Sequence, residues 1–168
     1  MEGWRLTRAR YQHCATALGQ TVIIAGGYPT LRLVQALSLE AGGDWQGWTR
    51  LQDMRGGRVA HGCAVAQISG RPSLVISGGQ SGGFSLSSVE SLALTGSQAG
   101  TWSLLADLPL ARRHHIMTQV GPARLVVAGG QTSQVISLNL EEEGAGWNTY
   151  RFSVSPSHTD IKGSSSQD

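Results

Sequence analysis

Three times along this chain an apolar run ends in a pair of glycines: Val22-Ile23-Ile24-Ala25-Gly26-Gly27, Leu74-Val75-Ile76-Ser77-Gly78-Gly79 and Leu125-Val126-Val127-Ala128-Gly129-Gly130. The first glycines stand at 26, 78 and 129, steps of 52 and 51 residues. Self-similarity at that period predicts a repeat protein rather than a single-core enzyme. The flanks repeat as well. Ahead of each pair stand Arg10 and His13, Arg58 and His61, or Arg112 and His115; behind it a V-x-x-L-x-L pattern starts at Val34, Val89 or Val135, followed by Trp48, Trp102 or Trp147.

Each unit reads as four short strands. The first starts at the histidine and runs through small and apolar residues. The second is the apolar run, which lacks polar alternation and is therefore expected to be covered on both faces. In the third, leucines two apart share one face and leave the other for residues such as Ser38 and Ser91. The tryptophan opens the fourth, where its ring can cover the gap between neighbouring sheets. The glycine pair ends the second strand because the departure there needs a positive φ or a close backbone approach. Helices are excluded by the same residues, since β-branched runs closed by Gly-Gly make poor helices.

These residues resemble kelch repeats, the blades of a class of β-propellers, over about residues 9 to 155. The resemblance rests on the glycine pair, the preceding Arg and His, the later tryptophan and the period. It implies an all-β fold: a kelch-type β-propeller segment of three four-stranded blades at 9–56, 57–111 and 112–155. Residues 1–8 are then one leading strand left from a preceding blade, with Trp4 and Leu6, and 156–168 a disordered polar tail. Gly26, Gly27, Gly78, Gly79, Gly129, Gly130, Trp48, Trp102 and Trp147 are the structural repeat residues. Propellers close with four to eight blades, so three units should associate with missing blades or with a second copy of the chain.

Composition narrows the partners. Net charge is 13 − 11 = +2, and the arginines are spread along the chain rather than clustered with aromatics, which argues against nucleic acid. No apolar stretch approaches the roughly 20 residues of a membrane span and Met1 to Arg5 lack a signal-peptide core, so a soluble, cytoplasmic protein is expected. With only Cys14 and Cys63 in the chain, a reducing compartment is the default. Counted from the repeat histidine, Cys14 is one residue on and Cys63 two. They should point to opposite faces of equivalent strands and remain buried thiols rather than bridge.

Catalytic motifs are weak. Gly79-Gln80-Ser81-Gly82-Gly83 fits G-x-S-x-G, but a nucleophile elbow needs a strand-to-helix turn, and here a loop leads to another strand. Histidines 13, 61 and 115 occupy one repeat position without accompanying carboxylates, so bonds to backbone are expected in place of a metal site. No cofactor is implied. Copper-radical oxidases share kelch-like repeats, yet nothing around Tyr11, Tyr28, Tyr150 and the cysteines marks a tyrosine–cysteine cross-link. Arg10, Arg58 and Arg112 are expected to hold turns by bonding carbonyls. The non-repeating Tyr28, Arg32, Arg55, Phe84 and Arg113 fall on loops of one propeller face and are the candidate partner-binding residues, suited to an acidic peptide segment. The expected function is non-enzymatic protein binding, as a substrate-recognition or scaffold subunit; the alternative is a propeller enzyme acting on sugars, of oxidase or mutarotase type.

Overall fold

A computed structural model describes residues 5–39, 47–142 and 144–150 of the 168. Within them the chain forms fourteen strands and no helix. The first unit contributes β1 (Cys14–Leu18), β2 (Thr21–Ala25), β3 (Val34–Ser38) and β4 (Thr49–Arg50). The second contributes β5 (Gly62–Ile68), β6 (Arg71–Ser77), a hairpin of β7 (Gln80–Ser81) and β8 (Phe84–Ser85), then β9 (Val89–Ala93) and β10 (Trp102–Leu105). The third contributes β11 (His115–Val120), β12 (Arg124–Gly129), β13 (Val135–Asn139) and β14 (Asn148–Tyr150). Each unit is one four-stranded antiparallel sheet in sequence order, with β7–β8 as a separate ribbon.

The registers are equivalent. Ile24 pairs with Gln35, Ile76 with Glu90, and Val127 with Ile136, so the apolar run and the V-x-x-L-x-L segment meet alike in all three sheets. The segment that fits G-x-S-x-G is the β7–β8 hairpin, and Gly82 and Gly83, with φ of 57° and 89°, make its two-residue turn.

Two apolar layers hold the three sheets together. Ile23, Ala25 and Val34 of sheet 1 meet Leu74, Ile76 and Leu92 of sheet 2. The opposite side of sheet 2, with Ala64, Ala66, Val75 and Val89, meets Met117, Leu125, Val127 and Ile136 of sheet 3. Sheet 2 is thus covered on both faces, which is why Leu74, Val75 and Ile76 are all fully buried. On sheet 3 the same stretch alternates: Leu125 and Val127 are buried while Val126 and Ala128 are only half-buried.

Two expectations are corrected. Cys14 and Cys63 are joined by a disulfide, with Cα atoms 5.9 Å apart. They do lie on opposite faces of equivalent strands, but across a joint those are the faces that meet: β1 turns one side to sheet 2, and β5 turns its other side back. With the cysteines bridged, their number no longer argues for a reducing compartment. Second, the described part of the expected leading strand, residues 5–8, takes bends and irregular backbone and forms no strand. Trp4 and the 156–168 tail lie outside the described residues.

Candidate functional site

The repeat residues converge on the joints between sheets. Arg58, buried at the start of unit 2, donates from Nη1 to the carbonyls of Gly78 (2.9 Å) and Ser88 (3.1 Å) and from Nη2 to Glu90 Oε1 (3.0 Å). Arg10 does the same with Gly26 O, Leu33 O and Gln35 Oε1. Arg112 reaches Gly129 O and Gln134 O, but the third acceptor position holds Ile136, and Arg112 Nη2 is buried without a partner. The three arginines therefore hold the turn after the glycine pair, as expected of repeat-invariant residues. Burial lowers the pKa of each, and at Arg58 the Glu90 carboxylate opposes that shift.

The histidines bond across the joints. His61 Nε2 donates to Ala25 O of the preceding sheet at 3.1 Å, and His115 Nε2 lies 2.9 Å from Ser77 Oγ. A carbonyl only accepts, so His61 is the Nε2–H tautomer and its buried Nδ1 has no donor. Protonating Nδ1 would strand an N–H and a charge in the core. Desolvation, with nearby Arg58, accordingly pushes the His61 pKa down to about 3; desolvation and Arg112 push His115 to about 4. His13, the third member, is exposed. No three of the described His, Cys, Asp and Glu side chains cluster as metal ligands.

Those rings explain the first glycine of the first two pairs. A Cβ on Gly26 would stand 2.6 Å from His61 Cε1, and one on Gly78 would stand 2.8 Å from His115 Cε1. The second glycines sit against their own unit's histidine, and Gly27 and Gly79 donate to the carbonyls of Arg58 and Arg112 in the next unit. Tryptophans close the outer edge. Trp102 Nε1 donates to Gln52 O at 3.2 Å and Trp147 Nε1 to Ala106 O at 2.8 Å, each binding the linker of the sheet before. Trp48 is held by a further contact of its own.

The loops carry a different surface. Linker residues Met54 and Arg58 donate backbone N–H groups to Arg32 O and Leu31 O, and Leu108 and Arg112 to Ser87 O and Leu86 O, so linkers and post-glycine loops form one face. Tyr28 is exposed there against the exposed Tyr11, ring centroids 5.5 Å apart, and their backbones bridge. Phe84 begins the second arm of the β7–β8 hairpin, 78% exposed. Arg32, held by an Nε bond to Met54 O at 2.7 Å, lines an open groove of about 380 Å³ with Arg8, Arg50 and Asp53. An ion pair at 2.8 Å ties Arg50 to Asp53. Arg55 is exposed, with its backbone N–H on Glu90 Oε2, and Arg113 is half-buried in unit 3.

Of the five candidate residues, the structure brings Tyr28 together with Tyr11 and places Arg32 in the groove; Arg55, Phe84 and Arg113 stand apart from it. Tyr11, Arg8 and Arg50 were absent from the sequence expectation. Tyr11 had a signal, since it directly follows a repeat arginine where the other units have Val59 and Arg113.

An all-β array of antiparallel four-stranded sheets, joined face to face by repeated contacts, is an arrangement compatible with a β-propeller. No protein-family model matches the sequence, and no curated protein does. Solved structures do match in fold. YjhT superposes with a TM-score of 0.65 at 12% identity, over 86% of this chain and 46% of that one. The chain thus spans about half the length of that structure, and the likeness speaks to fold alone.

Proposed function

We propose that this chain is a kelch-type propeller segment of three blades whose loop face binds another protein, without catalysis, as a recognition or scaffold subunit. The observation that carries the reading is the exposed Tyr11–Tyr28 pair and Phe84 on the same face as a groove lined by Arg8, Arg32 and Arg50. Exposed aromatics flanked by arginines are the residues that dominate binding energy at protein interfaces. Three guanidiniums against one carboxylate, Asp53, leave the groove net positive, which favours an acidic peptide segment with an aromatic or aliphatic anchor.

The test is binding of a panel of Asp- and Glu-rich peptides, each carrying one aromatic, followed by fluorescence polarisation at two salt concentrations. Replacing Arg8 and Arg32 with Ser should weaken the best peptide by roughly tenfold or more, and high salt should weaken the wild type similarly. Equal affinity in variant and wild type would remove the arginines from the site. Retained affinity after Tyr28→Ala and Phe84→Ala would remove the face.

A further inference from the structure

The joint between sheets is written twice in this chain with the same atoms. Gln12 O accepts from Ala60 N, and Ala60 O from His114 N, both at 2.8 Å; Gly27 N and Gly79 N donate to Arg58 O and Arg112 O. In both joints the residue one past the histidine faces the residue two past the next histidine. Cys14 is bonded to Cys63, and a Cβ on Gly62 would stand 3.1 Å from Met117 Cβ. Three residues past the histidine, Thr16 Oγ1 accepts from Val65 N across the first joint.

Sheet 3 presents this joint again with none of the described residues packed upon it. Gly129 has the positive φ of its equivalents, 77°, yet no described atom lies within 4 Å of where its Cβ would stand, the place that the next histidine ring fills at Gly26 and Gly78. Ile116 is 69% exposed and Val120 52%, on a face whose equivalent in sheet 2, with Ala64 and Ala66, is buried. At the other end, sheet 1 turns out an unused His13 with exposed Ala15 beside it.

These two ends fit each other. At the first joint two cysteines meet, and at the second a small residue, Gly62, meets a large one, Met117. Ile116 on sheet 3 would meet Ala15 on sheet 1, again one large and one small, so close packing is kept without overfilling. Thr118 stands where Thr16 accepts an N–H. Leu6 takes the position of Met54 and Leu108, and Tyr150 that of Leu51 and Leu105, so the described end of one copy and the described start of another fall in adjoining register. The matched stretch is 46% of the YjhT chain, so two such stretches would fill about nine-tenths of a chain that shares the fold.

We propose that two copies of this chain close head to tail, sheet 3 of each lying on sheet 1 of the other through a third and a fourth copy of the same joint. His13 Nε2 donates to Ala128 O of the other copy, Gly130 N to Arg10 O, and Gln12 N to His114 O. The joint is heterologous, and a two-fold axis closes it so that no apolar face remains. This does not depend on the loop-face reading.

Native mass spectrometry and sedimentation equilibrium of the full chain should give twice 17.8 kDa. Ile116→Glu should halve that mass while circular dichroism keeps its strand signal. Ala15→Cys with Ile116→Cys in one chain should give a covalent dimer on a non-reducing gel, with peptide mapping joining positions 15 and 116. A wild-type monomer overturns the proposal. So does Ile116→Cys alone cross-linking to itself, which would mean sheet 3 on sheet 3, and so does a dimer whose mass survives Ile116→Glu.

Discussion

The joint between sheets 1 and 2 and the joint between sheets 2 and 3 share a backbone frame but not a chemistry. In the first, a disulfide crosses the interface and Arg58 forms a buried ion pair with Glu90. In the second, Gly62 faces Met117, and Ile136 stands where Arg112 would find its third acceptor. What both keep is a glycine under the next histidine ring, an arginine on the two turn carbonyls, and a tryptophan on the preceding linker. The invariant part is therefore where backbone and side chain meet at van der Waals distance. Side-chain partners whose loss can be absorbed by local packing are free to differ.

The largest expected effect separates occupied from empty positions of that frame. Gly78→Ala puts a methyl 2.8 Å from His115 Cε1 at a φ of 54°, and neither the ring nor the linker backbone behind it can retreat without opening the joint. The cost should be roughly 4 kcal/mol or more. In the monomeric Ile116→Glu background, where no second copy covers sheet 3, Gly129→Ala, at a φ of 77° with no described atom within 4 Å of its Cβ, should cost about 1 kcal/mol, from backbone strain alone. Urea midpoints of the two variants measure the difference. Equal losses would mean that φ, not the histidine ring, selects the first glycine.

A smaller effect tests the arginine acceptor. Glu90→Leu leaves a buried guanidinium unpaired at Nη2 and should cost about 3 kcal/mol. Sheet 3 already lives with that arrangement, since Arg112 has Ile136 opposite and keeps only its carbonyl partners. Ile136→Gln restores the acceptor that Gln35 supplies to Arg10, exchanging apolar burial for a charge-assisted bond. Its change should stay within about 1 kcal/mol of the parent. If Glu90→Leu proves as mild, the ion pair contributes nothing beyond packing.

Much of this frame was legible in the sequence because the repeat writes it three times. Strand order, the glycine function and the arginine bonds to carbonyls follow from residues that recur at one spacing. The disulfide was misread for a geometric reason. Alternation along a strand assigns Cys14 and Cys63 to opposite faces, and only the stacking of sheets makes opposite faces neighbours. The Gln35, Glu90 and Ile136 position was hidden differently: it is an x in V-x-x-L-x-L, and a position that varies gives no repeat signal even where two of its three occupants are buried polar partners. On the loop face, Phe84 and Arg32 could be picked out as residues that break the repeat. The groove of Arg8, Arg32 and Arg50 could not, because it joins three segments that only the fold brings together.

Acid distinguishes the two joints most finely. His61 and His115 are held neutral with folded pKa values of about 3 and about 4, against an ordinary value of 6.5 in the unfolded chain. Below 6.5 the unfolded state binds more protons, so the stability that each neutral ring secures is lost as pH falls. Both should contribute down to about pH 4, at roughly 1.4 kcal/mol per pH unit for each histidine, and below that only His61, until about pH 3. Between pH 6.5 and 5, above the range where most carboxylates protonate, the unfolding free energy of the monomeric Ile116→Glu chain, in which only these two joints are closed, should therefore show a slope of two histidines. His115→Gln in that chain should show the slope of one. An unchanged slope in that variant would mean that the second joint admits water to the ring, and that only the joint tied by the disulfide is closed tightly enough to exclude a proton.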